Sequence, residues 1–385
     1  MSGRLNLVAA GFALTAVTYG LARFAYGLLL PDIREDLALG TVSAGWIGGS
    51  SFAAYCVGII FAFMAKGSLG ERRIALLAGV TATIGLTLVV FAQSALALGP
   101  AIALAGLSTG LTSPPLAAAV SRSIEDHARA KANGAINAGT AAGIVFSGMA
   151  VLAFAGSWRE LYALFAAIAA GVSLWLWFAV PSAESYEARP ASASLAEFRR
   201  PGVFALSASA ALVGVASTSI WTFGANLLRE EFGFADGALA LAWIVLGAAG
   251  VLGIATGALT DRFGVGAVHR LAVLAMALAI MAMAAASVVP ALAFAAMGLF
   301  GLAYILSTGA FLLWGIELYP DRPELGLGLP FLVLALGQTA GAPLFGAVWG
   351  AAGSAVVLPL FAAIMASGAA NAPSPERRQA RAAAP

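Results

Sequence analysis

The sequence predicts an all-α polytopic membrane protein in which twelve transmembrane helices form two pseudo-symmetric six-helix bundles. Three observations predict this class: a chain of 385 residues that is only 10% charged, a series of long apolar segments, and repetition between the two halves. A soluble globular protein carries roughly 25% charged residues. This chain therefore has too few charges to cover a water-facing surface, and lipid must solvate it.

The apolar segments have the length that a membrane-crossing helix requires. About twenty residues, at about 1.5 Å each, cross the roughly 30 Å hydrocarbon core of a bilayer. The twelve segments are 5–30, 41–65, 74–93, 96–119, 133–155, 158–180, 202–228, 236–259, 271–289, 291–315, 325–349 and 351–370. They are continuously apolar and do not alternate, which excludes a β-barrel. The first segment is too long for a signal peptide, and the single cysteine, Cys56, excludes a disulfide framework.

The positions of the basic residues predict the orientation. If the N-terminus is cytoplasmic, 16 of the 20 lysines and arginines fall on the cytoplasmic side; three lie outside and Arg23 lies in the membrane. The three outside are Arg34, Arg159 and Arg229. Basic residues near span ends stay in the cytoplasm. We therefore predict a multi-pass protein of a bacterial cytoplasmic (inner) membrane with both termini cytoplasmic.

One polar stretch divides the chain into two parts. Residues 181–201 are rich in serine, proline and charge, as a flexible linker is. The predicted organisation is a six-helix bundle over 1–180, a cytoplasmic linker over 181–201, a second six-helix bundle over 202–370 and a cytoplasmic tail over 371–385.

Two motifs recur at equivalent positions of the two parts. The residues Leu-Ser-Thr-Gly at 107–110 recur at 306–309. Three glycines in the fifth segment recur with identical spacing in the eleventh: Gly139, Gly143 and Gly148, then Gly337, Gly341 and Gly346. A single match is compatible with chance, whereas two together favour a duplicated six-span unit. Glycines four residues apart let helices approach closely, so the first two of each set are predicted packing positions. Parallel six-span halves are typical of transporters with a site between the halves.

The loop after the eighth segment carries a recognisable motif. It reads Gly257-Ala258-Leu259-Thr260-Asp261-Arg262-Phe263-Gly264 and resembles G-x-L-x-D-R-x-G, the signature cytoplasmic loop of the major facilitator superfamily. With the twelve spans, the resemblance covers essentially the whole chain. It implies the major facilitator fold, alternating access by rocking of two bundles, and gating roles for Gly257, Asp261, Arg262 and Gly264. A plain turn with solvated charges is the alternative.

The equivalent loop of the first half, residues 63–70, keeps only the final glycine of the motif. Gly67 and Ser68 stand where aspartate and arginine are expected, so the first-half latch is in doubt unless residues 71–73 supply its charges. A narrower resemblance involves residues 23–31, which read RFAYGLLLP, and residues 44–46. These positions are similar to the YbfB/YjiJ-like subgroup of the superfamily, a resemblance that implies no substrate.

Arg23 is the leading candidate site residue because the segment that contains it is otherwise uncharged. A cation in hydrocarbon costs about 2.5 kcal/mol or more, so it normally faces protein or a wet cavity. No Asp or Glu lies near the middle of an apolar segment, which leaves the charge without an internal partner and favours an external anion. The alternatives are that Arg23 extends to the nearby membrane surface or is capped by carbonyl groups.

Tyr19, Arg23 and Tyr26 follow i, i+4, i+7 spacing and are expected to share a helix face. A guanidinium binds a carboxylate bidentately, and phenols can donate further hydrogen bonds. Aligning the acidic pairs 35–36 and 230–231 places Thr218 opposite Arg23, with Trp221 nearby. The alternative for such hydroxyls is a bond to their own helix. Further polar residues that could line a path, or join helices, are Asn137, Tyr304 and Gln338.

These features favour a secondary active transporter for a small organic anion of the carboxylate type, bound at Arg23 between the bundles. Two alternatives stay open: an efflux carrier for hydrophobic or drug-like compounds, and a non-transporting membrane sensor with a carrier-like fold. No catalytic motif, metal-ligand cluster or phosphate loop occurs, so we predict no enzyme, metal, cofactor or nucleic-acid partner. His127 and His269 are predicted to lie in cytoplasmic loops. The expected partners of this predicted monomer are a small-molecule substrate, the lipid bilayer and either a proton, carried on the substrate, or a counter-anion; uniport is equally compatible.

Overall fold

A computed structural model of the protein describes residues 3–154, 156–181 and 199–373. Within these residues the chain forms twelve helices that are long and apolar enough to cross a membrane, which confirms the predicted fold class. Most of the predicted linker (182–198) and most of the predicted tail (374–385) lie outside the described residues.

The twelve membrane helices are labelled α1 to α12. Their bounds are Gly3–Leu37 (α1), Thr41–Ala65 (α2), Ser68–Val90 (α3), Ala95–Ser123 (α4), Asp126–Ala153 (α5), Trp158–Ala179 (α6), Val203–Trp221 (α7), Asp236–Phe263 (α8), Val265–Ser287 (α9), Ala291–Leu318 (α10), Pro323–Ala352 (α11) and Ser354–Asn371 (α12). A short helix, Gly224–Glu230, follows α7. Helices α1–α6 are called the first half and α7–α12 the second half.

The two faces of the molecule follow from the number of crossings. Because the chain crosses an even number of times, α1 begins and α12 ends on the same side, where α6 ends and α7 begins. We call this the linker side and the other the opposite side. Several helices begin before their apolar segments do, because hydropathy detects only the part of a helix that lies in hydrocarbon. Thus α3 begins at Ser68, so that Glu71 is helical, and α5 begins at Asp126, where His127 is exposed.

In both halves, glycines allow one helix pair to pack backbone to backbone. A Cβ atom at Gly143 in α5 would lie 2.2 Å from the carbonyl oxygen of Ala16 in α1, closer than real side chains approach. The corresponding distance from Gly341 in α11 to the oxygen of Val215 in α7 is 2.4 Å. Gly139 and Gly337 lie as close to carbonyl oxygens of the same partner helices. The α1–α5 and α7–α11 contacts are therefore equivalent.

The third glycine of each set lies against the other half. A Cβ at Gly148 in α5 would lie 3.0 Å from the carbonyl oxygen of Ala240 in α8. One at Gly346 in α11 would lie 2.2 Å from the carbonyl oxygen of Thr41 in α2. The halves therefore meet along α5–α8 and α2–α11, at positions related by the internal repeat.

Helical geometry breaks at equivalent glycines near the start of α3 and between α8 and α9. Gly70 has φ 73° and ψ 163°, and Gly264 has φ 83° and ψ 151°. This backbone region is essentially restricted to glycine. The one motif residue that both loops share is thus the one whose conformation excludes other residues.

We expect Gly264→Ala to lower the free energy of unfolding by about 1–3 kcal/mol, the usual range for a residue held in such a conformation. A Cβ at this position has no neighbour within 4 Å, so the effect would come from backbone strain and not from a clash. Thermal unfolding of the detergent-purified protein measures it. Gly257→Ala is the matched control, since Gly257 is helical and equally uncrowded. Equal losses in both variants would contradict the strain argument.

His269 lies inside α9, so its predicted place in a cytoplasmic loop is wrong. The helix begins at Val265, six residues before the predicted segment, and the imidazole is fully buried. Its Nε2 lies 2.8 Å from Ser209 Oγ, and its Nδ1 lies 3.1 Å from Ser307 Oγ. Ser209 donates its hydroxyl proton to the carbonyl of Gly368, so it accepts a bond from Nε2–H. The Ser307 hydroxyl lies within hydrogen-bond distance of the other ring nitrogen, so both nitrogens of the buried imidazole have serine partners.

Candidate functional site

Helix α1 changes its winding where it passes between the halves. Residues Ala16–Phe24 form a π-helix, and at its end the Ala25 N–H bonds the carbonyl of Gly20, five residues earlier. Such wider turns occur frequently at functional sites. Arg23 belongs to the last turn of this π-helix.

The guanidinium of Arg23 lies among four aromatic rings, which we call the aromatic cage. Their centroids are 4.5–6.0 Å from Arg23 Cζ, and all four rings come from α1 and α2: Tyr19, Phe24, Phe52 and Tyr55. The arginine is only 7% exposed. Attraction between the cation and the ring faces offsets part of the hydration free energy that the charge loses on burial.

One hydrogen bond joins Arg23 to the second half of the protein. Arg23 Nη2 donates to Gln338 Oε1 in α11 at 2.7 Å. The Gln338 amide nitrogen in turn donates to Ser217 Oγ in α7 at 3.2 Å and to Tyr304 Oη in α10 at 3.4 Å. Through a single amide, three helices of the second half converge on the cation. Arg23 therefore lies between the halves and does not extend to the membrane surface.

The charge of Arg23 has only a neutral acceptor within the part of the chain that the structure describes. No described carboxylate forms an ion pair with it, and its buried Nε has no hydrogen-bond partner there. A guanidinium carries five N–H donors in a fixed fork. Arg23 therefore retains a positive charge without a counter-charge and N–H donors without acceptors among the described residues.

Trp221 forms an aromatic wall next to the cage. Its ring stacks on Phe24 with centroids 4.2 Å apart, and the ring of Tyr304 meets it edge-on at 5.1 Å. Beside these rings lies a small cavity of about 20 Å³, which we call the side pocket. Besides Phe24, Trp221 and Tyr304, its lining includes Thr140 and the glycines Gly247, Gly250 and Gly301. The space beside these rings is therefore apolar and has room for about one water molecule.

Tyr26 is buried against α2, the helix that also supplies Phe52 and Tyr55 of the cage. Its hydroxyl donates to the carbonyl of Ala44 in α2 at 2.9 Å, and its ring lies beside Gly48. A role of Tyr26 in substrate binding stays a prediction. Tyr19 does border the cation, and its hydroxyl lies 3.1 Å from Ser113 Oγ.

Two other predicted binding residues lie apart from the cage. The Thr218 hydroxyl donates to the carbonyl of Val215 in its own helix at 2.7 Å, which is the alternative considered above. Asn137 is exposed where helical geometry is interrupted at Ala138 in α5. Neither residue contacts Arg23 through a described hydrogen bond.

The gating residues proposed from the loop motif lie exposed at the linker-side end of α8. Asp261 and Arg262 are both exposed, and the Arg262 guanidinium carbon lies 5.2 Å from the ring centroid of Phe263. Their role as a latch stays a prediction.

One of the three residues that could supply the charges of the first-half loop is a buried carboxylate, Glu71. Glu71 is 2% exposed and receives two contacts from Arg122 at the end of α4: Nη2 to Oε1 at 2.9 Å and Nη1 to Oε2 at 3.1 Å. Glu71, which follows the altered motif, thus pairs with an arginine of the same half.

Ion pairs on the opposite side join the two halves. Arg34 at the end of α1 lies 2.7 Å from both carboxylate oxygens of Glu230, and Arg229 pairs with Asp32. We call these four residues the opposite-side latch. Their positions carry a sequence signal, because Arg-Glu-Asp at 34–36 recurs as Arg-Glu-Glu at 229–231. The reciprocal pairing across the halves becomes visible only in the fold.

Comparison with known proteins identifies the family. The Major Facilitator Superfamily profile matches residues 12–342. The chain belongs to this superfamily. It is accordingly a transporter-family protein and not an enzyme.

Individual relatives are more distant. "Transcription regulatory protein OpdE" of Pseudomonas aeruginosa is 27% identical over 359 residues, which cover 89% of this chain and 87% of the relative. The nucleoside transporter NupG aligns with a TM-score of 0.77 and 16% identity over 96% of this chain and 98% of its own. The xylose transporter XylE from E. coli aligns with a TM-score of 0.77 and 13% identity over 96% and 97%. At these identities the two structures show the fold alone.

Proposed function

We propose that this protein is a secondary active transporter that moves a small organic anion of the carboxylate class by alternating access. One observation carries the proposal: a buried guanidinium between the halves faces a neutral amide while its Nε has no partner. A carboxylate would accept two parallel hydrogen bonds from the guanidinium fork and neutralise its charge. Gln338, already bonded to Arg23, would hold the second half of the protein against the bound anion.

The ion pairs suggest which contacts change during transport. Arg4–Glu125 and Arg200–Asp321 each join residues of the same half, so they can move with it as a unit. The Arg200 guanidinium holds the pKa of Asp321 at about 2, so this pair stays ionised at neutral pH. The opposite-side latch joins different halves and has to break when that side opens. With the predicted orientation, the latched side is the outer one and the structure is closed to the outside.

We further propose that the protein lies in a bacterial inner membrane with both termini in the cytoplasm. We also propose that it is a monomer without a nucleic-acid partner and that it belongs to the YbfB/YjiJ-like subgroup. If transport is coupled to protons, the proton travels on the weak-acid substrate; a counter-anion or uniport is the alternative.

A ligand screen tests the proposed substrate class. The purified protein is heated with carboxylates, sulfonates, phosphates, amines and neutral drug-like compounds at two pH values. We expect carboxylates to raise the melting temperature, because a ligand at 100 times its Kd stabilises the folded state by about 2.7 kcal/mol. Stabilisation by amines or neutral compounds, without any by anions, would overturn the proposal and favour the hydrophobic efflux carrier.

A membrane sensor is a second candidate, favoured by the name of one relative. OpdE, 27% identical to this chain, is called a transcription regulatory protein. Liposomes that contain the protein distinguish the two functions: a transporter releases or accumulates an anion that it binds, whereas a sensor binds the anion without flux.

A further inference from the structure

We infer that the protein is an anion exchanger, which carries a carboxylate in each direction and returns only slowly without one. This inference rests on the proposed function and selects the counter-anion, a second carboxylate, among the couplings named above. Three observations support it: the contacts of Arg23 belong to different halves, its charge has no internal counter-charge, and the other buried ionisable groups are bound elsewhere.

The contacts of Arg23 divide between the two halves. The aromatic cage belongs to α1 and α2, so it moves with the guanidinium. Gln338 is held in the second half by Ser217 and Tyr304. The Ser217 hydroxyl donates its proton to the carbonyl of Gly214, so its oxygen accepts from the Gln338 amide nitrogen and the amide oxygen faces Arg23. Rocking of the halves therefore separates Arg23 from this acceptor and leaves the cage in place.

This separation makes the return without an anion costly. In alternating access, the substrate site is closed on both sides midway through the change. Arg23 would then be desolvated with neither a counter-charge nor the Gln338 acceptor, and the rings of the cage offset only part of that cost. A bound carboxylate neutralises the cation, and its two acceptor oxygens stay with the guanidinium throughout. The barrier is therefore lower for the loaded protein in both directions.

A proton cannot take the place of the counter-anion at this site. The undissociated acid is neutral and would leave the charge of Arg23 uncompensated, so the site favours the carboxylate form. Among the described residues, the other buried Asp, Glu, His, Lys or Arg side chains are Glu71 and His269. Glu71 is paired with Arg122, and His269 is bonded to two serines of the second half. No described hydrogen bond or ion pair joins either group to Arg23.

The titratable side chains around Arg23 are not proton carriers near neutral pH. They are Tyr19 in α1, Tyr55 and Cys56 in α2 and Tyr304 in α10. Phenols and thiols are largely neutral at pH 7. None of these groups therefore supplies a negative charge that a proton could cancel during transport.

The rate at which the protein switches without any added anion tests the inference directly. In a Cys56→Ser background, fluorescent dyes are attached to cysteines at positions 35 and 235, one in each half on the opposite side. Single-molecule energy transfer between the dyes then counts openings and closings of the full-length protein in detergent.

Arg23→Gln removes the charge that opposes this switching. We expect the variant to switch at least about tenfold more often than the parent protein, because a buried charge without a partner is strongly unfavourable. Arg4→Gln is the matched control: it also removes an arginine of α1, but one whose partner, Glu125, lies in the same half. It should switch at the parent rate. Equal rates in Arg23→Gln and the parent overturn the inference.

Flux in liposomes measures exchange itself. Liposomes that contain the full-length protein are loaded with labelled lactate, gluconate or benzoate, and efflux is followed with and without the same unlabelled carboxylate outside. We expect a carried probe to leave at least about tenfold faster when the carboxylate is present outside. Equal efflux under both conditions overturns the inference, as does uptake driven by a proton gradient beyond that of protein-free liposomes.

The two hypotheses fail in different ways. If no carboxylate stabilises the protein in the ligand screen, or if Arg23→Gln leaves carboxylate binding unchanged, the proposed function itself is wrong. If a carboxylate binds through Arg23 and flows equally well without a counter-anion, only the exchange inference is wrong. Should Arg23→Gln not fold, the flux of the unaltered protein decides; should none of the three probes be carried, the switching rates decide.

Discussion

Arg23→Lys is expected to weaken carboxylate binding by about 2–3 kcal/mol, roughly 30- to 150-fold, although the positive charge is retained. Lysine lacks the planar fork that presents two parallel donors to a carboxylate. Its ammonium is also more strongly hydrated than a guanidinium, and it would lose the bond from Nη2 to Gln338 and the contacts with the aromatic cage. The measurement is the Kd, for the purified variant, of a carboxylate that stabilises the unaltered protein in the ligand screen, together with flux of that carboxylate in liposomes.

Gln338→Glu is a more specific control, because it replaces the side-chain amide with a carboxylate of nearly the same size. A glutamate would place its own carboxylate where Gln338 Oε1 now lies, 2.7 Å from Arg23 Nη2. We expect the variant to melt at a higher temperature than the unaltered protein without ligand and to bind added carboxylates poorly. Carboxylate transport that survives both Arg23→Ala and Gln338→Glu would show that the cation is structural, as the hydrophobic efflux alternative requires.

Gly27→Ala is expected to shift the protein away from the conformation that is closed on the opposite side. Gly27 lies in α1 between the aromatic cage and the latch, and a Cβ there would lie 1.9 Å from the carbonyl oxygen of Trp221 in α7. The overlap is with backbone of the other half and cannot be relieved by rotating a side chain. Overpacking of this kind costs about 1–3 kcal/mol or more. The closed-to-open ratio should fall by roughly fivefold to more than a hundredfold.

Distances between spin labels measure this shift. Cys56 is the only cysteine of the chain, so Cys56→Ser supplies a background in which labels at Glu35 and Ala235 report the separation of the two halves on the opposite side. We expect longer distances to dominate in Gly27→Ala. Gly224→Ala lies on the same side, where the nearest neighbour of a Cβ is 3.5 Å away, and should leave the distances unchanged. Identical distributions in all three proteins would contradict a steric role for Gly27.

Much of the fold could be predicted because lipid restricts what a spanning segment can contain. Hydropathy located twelve helices, but it placed the start of α9 too late and therefore assigned His269 to a loop. The error arises because the length of an apolar segment corresponds to the thickness of the hydrocarbon layer, whereas the helix extends beyond that layer. The hydrogen-bond partners of the imidazole are Ser209 and Ser307, which lie 60 and 38 residues away in the chain.

The candidate site was predictable only in part. Arg23 could be singled out because an isolated charge in an apolar segment is rare, and Gln338 because polar residues within spans are few. Phe52 and Tyr55 could not, since aromatic residues in a membrane helix carry no signal of facing a cation.

Twelve crossings, the internal repeat and one buried cation follow from composition and spacing, because the bilayer imposes length, apolarity and charge placement on each segment separately. The surroundings of that cation do not follow in this way. They depend on the winding of α1 and on how closely the halves approach at glycines such as Gly27. Both arise from packing between segments distant in the chain, which is why Arg23 and Gln338 come together only in the folded protein.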